Sequence, residues 1–479
     1  MKLRACGIKR AVRGRRALRA GVLVAGLLAS VAVRGTAPAR SAVSQGVAPA
    51  ARSAETLQET DVAARETGAT AFVGARVIPV SGPEIPVGTL VVQGGRILTV
   101  GPAESTLIPE GAARIDVAGK VIMPGLVCTH SHIGGVGGAD SSAPMQPEIR
   151  IYDSINVRDS GFRRAVAGGL TTLNLMPGSG HLLSGQTVYV KLRGGDRIED
   201  WFILDAERRP TGGIKMANGT NSMRDKPFPG TRGKSAAIVR EMFVKAQEYR
   251  DRIAAAGDDL SKRPARDLGL EMLVEAMRGT KIVHHHTHRA DDIITVLRLS
   301  KEFGFRVVLH HVSEAWKVAD EIAAAGAPCS AILVDSPGGK LEARDLVFET
   351  GSVLEKAGVK LAFHTDDWIT DSRLFLRMPA LAMRAGLSRE AALRSVTLSG
   401  AEMLDLGDRI GSLSPGKDAD FVILSGDPFS VYTDVLETWV EGRKVFDRSD
   451  PKDRLHAVGG YGAGRDQAPY LCCVEEAGK

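Results

Sequence analysis

The stretch KIVHHHTHRADDIITVLRLSKEFGFRVVLHHV, residues 281–312, decides how the chain is read. It opens with an apolar run over 281–286, continues with helical periodicity over 290–303, and closes with a second apolar run over 306–311. Strand, helix and strand in that order make a βαβ unit, with two parallel strands under a covering helix. Working outward, the same alternation predicts strands at 121–128, 171–176, 186–191, 213–216, 329–334 and 360–364, with helices over 236–256 and 316–325. Eight βα units in roughly 280 residues point to a closed (β/α)8 TIM barrel in the α/β class. Both flanks differ: 71–127 and 409–447 alternate short β-branched runs with Gly and Pro, the chemistry of strands and turns. The expected architecture is a barrel over 122–407 beside a small composite β-sandwich built from 70–121 and 408–447.

Composition limits the possibilities. Apolar content of 44% and charged content of 25% suit a globular domain. The net charge of +6 is carried by the N-terminus, because residues 1–39 hold nine Lys and Arg and no acid. No nucleic-acid surface follows from it. The same segment reads as a signal peptide: a basic start, the apolar run 20–33, then Ala37-Pro38-Ala39 as a cleavage site. Its removal leaves no stable membrane insertion, and the expected location is periplasmic or extracellular. Residues 40–69 read as a linker and 448–479 as a C-terminal tail. Five cysteines show no thiolate zinc spacing, and Cys128 and Cys329 lie in apolar runs as buried thiols. Trp316 and Trp368 read as packing, and the glycine-rich 134–138 as a loop over the strand ends.

Chemistry concentrates at the ends of the strands. Nine of the eleven histidines fall into four clusters: His130 and His132; His284, His285, His286 and His288; His310 and His311; and His364, followed by Thr365, Asp366 and Asp367. Active sites of parallel barrels form at the C-terminal strand ends. Side chains two apart share a face. His130 therefore pairs with His132, His284 with His286 and His288, and His364 with Asp366, while His285 faces away. Parity puts His310 and His311 on opposite faces and does not choose between them. Imidazoles with one carboxylate form a divalent-metal donor set, Zn²⁺ first, with Fe²⁺ or Mn²⁺ as alternatives.

The run Met123-Pro124-Gly125-Leu126-Val127-Cys128-Thr129-His130-Ser131-His132 resembles the PGLxDxHxH signature of the amidohydrolase superfamily. His286-Thr287-His288-Arg289-Ala290-Asp291 is similar to the fifth-strand motif of its imidazolonepropionase-like branch, and GGIKMANG (212–219) to the lysine motif of prolidase-like members. LHHVSEA (309–315), HTDD (364–367) and the segment 396–424 resemble the sixth-strand, eighth-strand and C-terminal motifs. The resemblance implies His130, His132, Lys215, His286, His311 and Asp366 as metal ligands, for one or two ions, with Lys215 carboxylated. It also implies Asp366 as general base and then acid. His288, His364 and His181 are substrate-contact candidates. Departures are Cys128 where the signature has Asp, His310 where glutamate is usual, the extra His284 and His285, and Asn218-Gly219 after the lysine motif. The implied function is hydrolysis of a C–N bond outside a protein backbone, in an amide, cyclic amide or dipeptide, by metal-bound hydroxide. A metal-dependent deaminase and a non-catalytic binding protein are the alternatives. The expected partner is a small-molecule substrate, and self-association as a homo-oligomer is compatible with the sequence.

Overall fold

A chain end that must return to its start can do so through a shared sheet, and the computed structural model has one. It describes residues 68–135, 140–333, 340–367 and 369–459. The segment read as a signal peptide, nearly all of the expected linker, Val136–Gly138 of the glycine-rich loop, Trp368 and the tail from 460, with Cys472 and Cys473, lie outside the described residues.

β1 (Thr70–Val77), β2 (Ile85–Gln93), β3 (Arg96–Pro102), β4 (Ala113–Asp116) and β5 (Val121–Pro124) come from the first flank. They join β15 (Phe421–Leu424), β16 (Val435–Val440) and β17 (Arg443–Asp447) in one eight-stranded sheet. Its order is β17-β16-β15-β5-β1-β2-β3, with β4 also on β1. The join is antiparallel, with Phe421 opposite Pro124 and Leu424 opposite Val121. Phe72 packs edge-on against Phe421 and Trp439 at centroid distances of 4.9 and 5.0 Å, which locks strands from both chain ends into one apolar core.

The middle of the chain forms a TIM-barrel-like domain. β6 (Leu126–Ser131), β7 (Leu170–Leu175) and β9 (Val188–Lys191) make a three-stranded sheet. β8 (Leu183–Gln186), β10 (Ile214–Ala217), β11 (Val283–Thr287), β12 (Val307–His311), β13 (Cys329–Ala331) and β14 (Leu361–Phe363) make a six-stranded one, parallel from β10 to β14. The helix Ala290–Phe303 crosses between β11 and β12, burying Ile293, Val296, Leu299 and Phe303. No helix among the described residues is long and apolar enough to cross a membrane.

Two strand expectations change. The run 121–128 is two strands in two sheets. It breaks at Gly125, where a β-carbon would lie 2.3 Å from the Thr171 side chain, so only glycine lets β6 leave the mixed sheet beside β7. The run 186–191 also divides, and its parts are antiparallel to their neighbours: β9 pairs with β7, and β8 with β10. The break is Thr187, whose N–H donates to the Gly213 carbonyl and whose hydroxyl accepts from Gly213 N–H, both at 2.9 Å. That pair links β9 to β10 across the two sheets. At the other seam, Asp366 N–H donates to the His130 carbonyl at 3.1 Å, tying the end of β14 to β6.

Candidate functional site

The strand-end histidines converge because neighbouring strands are in register. Lys215 lies opposite His284, Ala217 opposite His286, and His286 opposite His310. His130 and His132 meet through their Nε2 atoms at 3.2 Å. Asp366 Oδ1 stands 3.1 Å from His132 Nε2 and 3.4 Å from His130 Nε2, and Lys215 Nζ is 3.0 Å from His130 Nε2. His132 donates Nδ1–H to the Met176 carbonyl at 2.7 Å, which fixes its tautomer and leaves Nε2 as a lone pair.

A second group adjoins the first. The His286 and His311 rings are 4.2 Å apart, with His288 at 4.7 Å from His286 and stacked 5.1 Å from His311. His288 Nδ1 is held by Ser313 Oγ at 2.8 Å. His364 lies between the groups: it stacks on His130 at 4.7 Å, bonds Ser330 Oγ through Nδ1 at 2.8 Å, and approaches His311 Nδ1 at 3.4 Å.

His310 and His311 do not point oppositely. His310 reaches His130, and His311 reaches His286, His288 and His364. The cause is the backbone: His311 has φ +71° and Val312 +48°, so the strand twists out of alternation at its end. Asp366, at φ +48°, is turned in the same way. Non-glycine residues held left-handed cost about 1–3 kcal/mol each and concentrate at functional sites.

Electrostatics suit ligation. Burial, reinforced by neighbouring cationic groups, holds His130, His286, His310 and His311 well below the ordinary imidazole range, so the rings are neutral near pH 7. Burial also pulls Lys215 down to about 7, with Asp366 opposing it. Burial would raise Asp366, but the close approach of His132 and the nearby His364 and Lys215 outweigh it and hold the carboxyl at about 2. Asp367, on the other face, accepts from Ser131, Thr365 and Ser372 hydroxyls at 3.1, 2.5 and 2.6 Å and anchors the strand end. Cys128, in the place of an aspartate, still bridges to this segment: its Sγ accepts from Thr365 N–H at 3.3 Å and donates to the His130 carbonyl at 3.2 Å.

His285 and His181 stand apart. His285 donates Nδ1–H to the His286 carbonyl, and no ring contact among the described residues joins it to the cluster. His181 meets Arg224 at 3.3 Å and the Phe228 ring at 5.1 Å. Tyr189, Met176, Ser313 and Ser330 enter the network without any sequence signal, because each lies in a segment that reads as ordinary core or loop.

Among the described residues, three sets of ligand atoms lie within 4.8 Å of one another: His130, His132 and Asp366; His130, His311 and His364; and His286, His288 and His311. Both ring nitrogens of His286, and Nε2 of His288 and of His311, are buried with no hydrogen-bond partner. Buried polar atoms without partners are rare, and neutral imidazoles beside one carboxylate are the donor set of a Zn²⁺, Fe²⁺ or Mn²⁺ site. The residues present therefore fit a divalent cation.

A model of the amidohydrolase family matches residues 313–446. The crystal structure of an amidohydrolase from Thermotoga maritima MSB8 superimposes with a TM-score of 0.74 at 33% identity, covering 79% of this chain and all of that one. Amidohydrolase tasK of Hapsidospora irregularis is 27% identical over 77% of this chain, which spans 41% of the length of tasK. The imidazolonepropionase of Aromatoleum aromaticum is 27% identical, covering 71% of this chain and 86% of that enzyme. The chain belongs to the amidohydrolase superfamily, with imidazolonepropionases among its sequence relatives, and is a hydrolase acting on carbon–nitrogen bonds.

Proposed function

We propose that this enzyme hydrolyses the C–N bond of a small amide, cyclic amide or dipeptide at a divalent-metal centre, Zn²⁺ first, in the mouth of a closed (β/α)8 barrel flanked by a composite β-sandwich. The observation that carries the reading is the convergence of His130, His132, Asp366 and Lys215 beside His286 and His311, with buried ring nitrogens left unpartnered. His130, His132 and Asp366 would hold one cation and His286 and His311 a second, with Lys215 beside His130 as a further ligand once carboxylated. When bound, such a cation supplies Lewis acidity, polarising a carbonyl oxygen and acidifying a nearby water.

The chain's own groups do the rest. Asp366, ionised and partly open to the cavity with a side chain 18% exposed, accepts a proton from water as its oxygen adds to the carbonyl carbon. It returns that proton to the leaving nitrogen as the C–N bond breaks, giving a carboxylic acid and an amine. Lys215 has no carboxylate within salt-bridge reach among the described residues, and its burial favours the neutral amine. That amine adds to CO₂ and releases one proton to form a carbamate, an anionic ligand suited to lie between two cations. His288 and His364 face the same space and suit substrate contact. The N-terminal signal peptide, residues 1–39, would deliver the enzyme to the periplasm or outside the cell.

The test pairs a screen of N-acyl amino acids, dipeptides and lactams on the zinc-loaded protein with Asp366→Asn. The variant should keep the fold and lose about 10²–10⁴-fold in turnover. Undiminished hydrolysis would refute the assignment of Asp366, and ammonia as the released product would mark a deaminase instead.

A further inference from the structure

His284, extra to the motifs that the sequence resembles, and His310, where glutamate is usual, form a chain behind His130. His130 Nδ1 lies 3.3 Å from His310 Nδ1, His310 Nε2 lies 3.0 Å from His284 Nδ1, and His284 Nε2 lies 2.8 Å from Tyr189 Oη. The three rings are fully buried and Tyr189 nearly so. On its other side, His130 directs Nε2 at His132, Lys215 and Asp366. We propose that His310 and His284 are positioning residues whose tautomers are coupled to the metal-binding tautomer of His130, with Tyr189 closing the chain as the acceptor; the proposal rests on the reading of His130 as a ligand.

The argument follows the protons. Each contact needs one N–H or O–H, and a neutral imidazole has one donor and one acceptor, so one choice fixes the whole chain. If Tyr189 donates to His284 Nε2, then His284 Nδ1–H donates to His310 and His310 Nδ1–H donates to His130. His130 is then left with Nε2–H, which cannot ligate. In the opposite polarity His130 Nδ1–H donates to His310, His310 Nε2–H to His284, and His284 Nε2–H to the Tyr189 oxygen. Only this order presents a lone pair at His130 Nε2. His132 needs no such device, because the Met176 carbonyl can only accept. A ligand histidine ordinarily donates its second N–H to a carboxylate, carbonyl or water. Here an imidazole takes that place, so the ligand's tautomer is tied to groups two rings away. Register brings the chain together: Lys215 and His284 are paired on β10 and β11, and His286 lies opposite His310 on β11 and β12.

The test is made on the full-length protein carrying ¹⁵N-histidine and loaded with Zn²⁺. Long-range ¹H–¹⁵N spectra should show His284 and His310 both protonated at Nε2. Protonation of either at Nδ1 overturns the relay while leaving the metal site standing. A wild-type chain that takes up no zinc overturns the site reading and the relay with it. Zinc affinity, measured against a competing chelator, should fall about 10–100-fold in His310→Leu. It should recover in His310→Gln, whose amide oxygen can accept from His130 Nδ1–H. Equal affinity of His310→Leu and wild type overturns the proposal. If His310→Leu does not fold, the wild-type tautomers still decide.

Discussion

Removing the metal and lowering the pH should unfold this protein far earlier than its carboxylates would. Four buried histidines carry the calculation: burial holds His284, His288 and His364 at about 3 and His285 at about 4, and none is more than 7% exposed. An unfolded histidine titrates near 6.5. Below that value the unfolded chain binds protons that the native state refuses, so this part of the stability is present above about 6.5 and is lost as pH falls toward 3–4. Between about pH 7 and pH 5 each histidine takes away about 2 kcal/mol, and the four together about 7. Contact between rings does not reduce the sum, because one charged ring repels protons from the next and keeps the native state proton-poor. Asp367 and Asp420, raised by burial, act with the opposite sign. A loss of about 7 kcal/mol is comparable to the whole stability of a domain, about 5–15 kcal/mol. The assay is urea denaturation of chelator-treated protein, followed by circular dichroism between about pH 7 and pH 5. A change below about 2 kcal/mol over that interval would refute the claim that the rings are neutral and desolvated.

Three further outcomes follow from burial and partners. Lys191 is fully buried against Asp418, Asp420 and Glu441, joining β9 to the mixed sheet; Arg409 and Arg193 still pair Asp418 and Glu441, but Lys191→Met leaves the buried Asp420 without its cation and should cost about 3–5 kcal/mol in urea unfolding. Cys128, driven up to about 12 by burial first and by Asp367 second, and Cys329, raised by burial, should resist alkylation in the native protein and react only on unfolding, as peptide mapping would show. His286→Leu removes two unpartnered buried ring nitrogens and should raise the melting temperature of the chelator-treated protein while weakening metal uptake; a lowered melting temperature would mean that the ring is satisfied in place.

Much of the fold and the site is readable from periodicity. The β11–helix–β12 unit is legible because its apolar run, amphipathic helix and second run differ in period, and the helix Ala290–Phe303 ends where Gly304 takes a left-handed φ of 74°. The shared sheet is legible only as a likeness in composition between two flanks, since nothing local announces that Phe421 will lie opposite Pro124. The divided third strand was hidden because the break comes from two hydrogen bonds between Thr187 and Gly213, which belong to the tertiary structure. Parity placed the histidines wherever strands stay regular and failed at His311, where the backbone leaves the β region. Tyr189 carried no signal, because a tyrosine in an apolar strand reads as core, and only the partner His284 distinguishes it.

The failure of parity at His311 and the unpartnered nitrogens have one origin. A strand that alternates can present only every second side chain to the barrel mouth, so β12 alone could not offer both His310 and His311. Left-handed backbone at His311 and Val312 admits both, and Asp366, in the turn that follows β14, is also held left-handed. Each such residue costs about 1–3 kcal/mol, and each buried nitrogen without a partner, such as His311 Nε2, costs about as much again. These penalties fall within one small volume, while the neighbouring Asp367, of the same chemical type, is satisfied by three hydroxyls. A fold selected for stability alone would treat both faces of the strand end as it treats Asp367. Left-handed backbone and unpartnered ring nitrogens gathered on the inward face are what a site shaped to receive a cation requires, and the rigid sheet around it is what makes the strain sustainable.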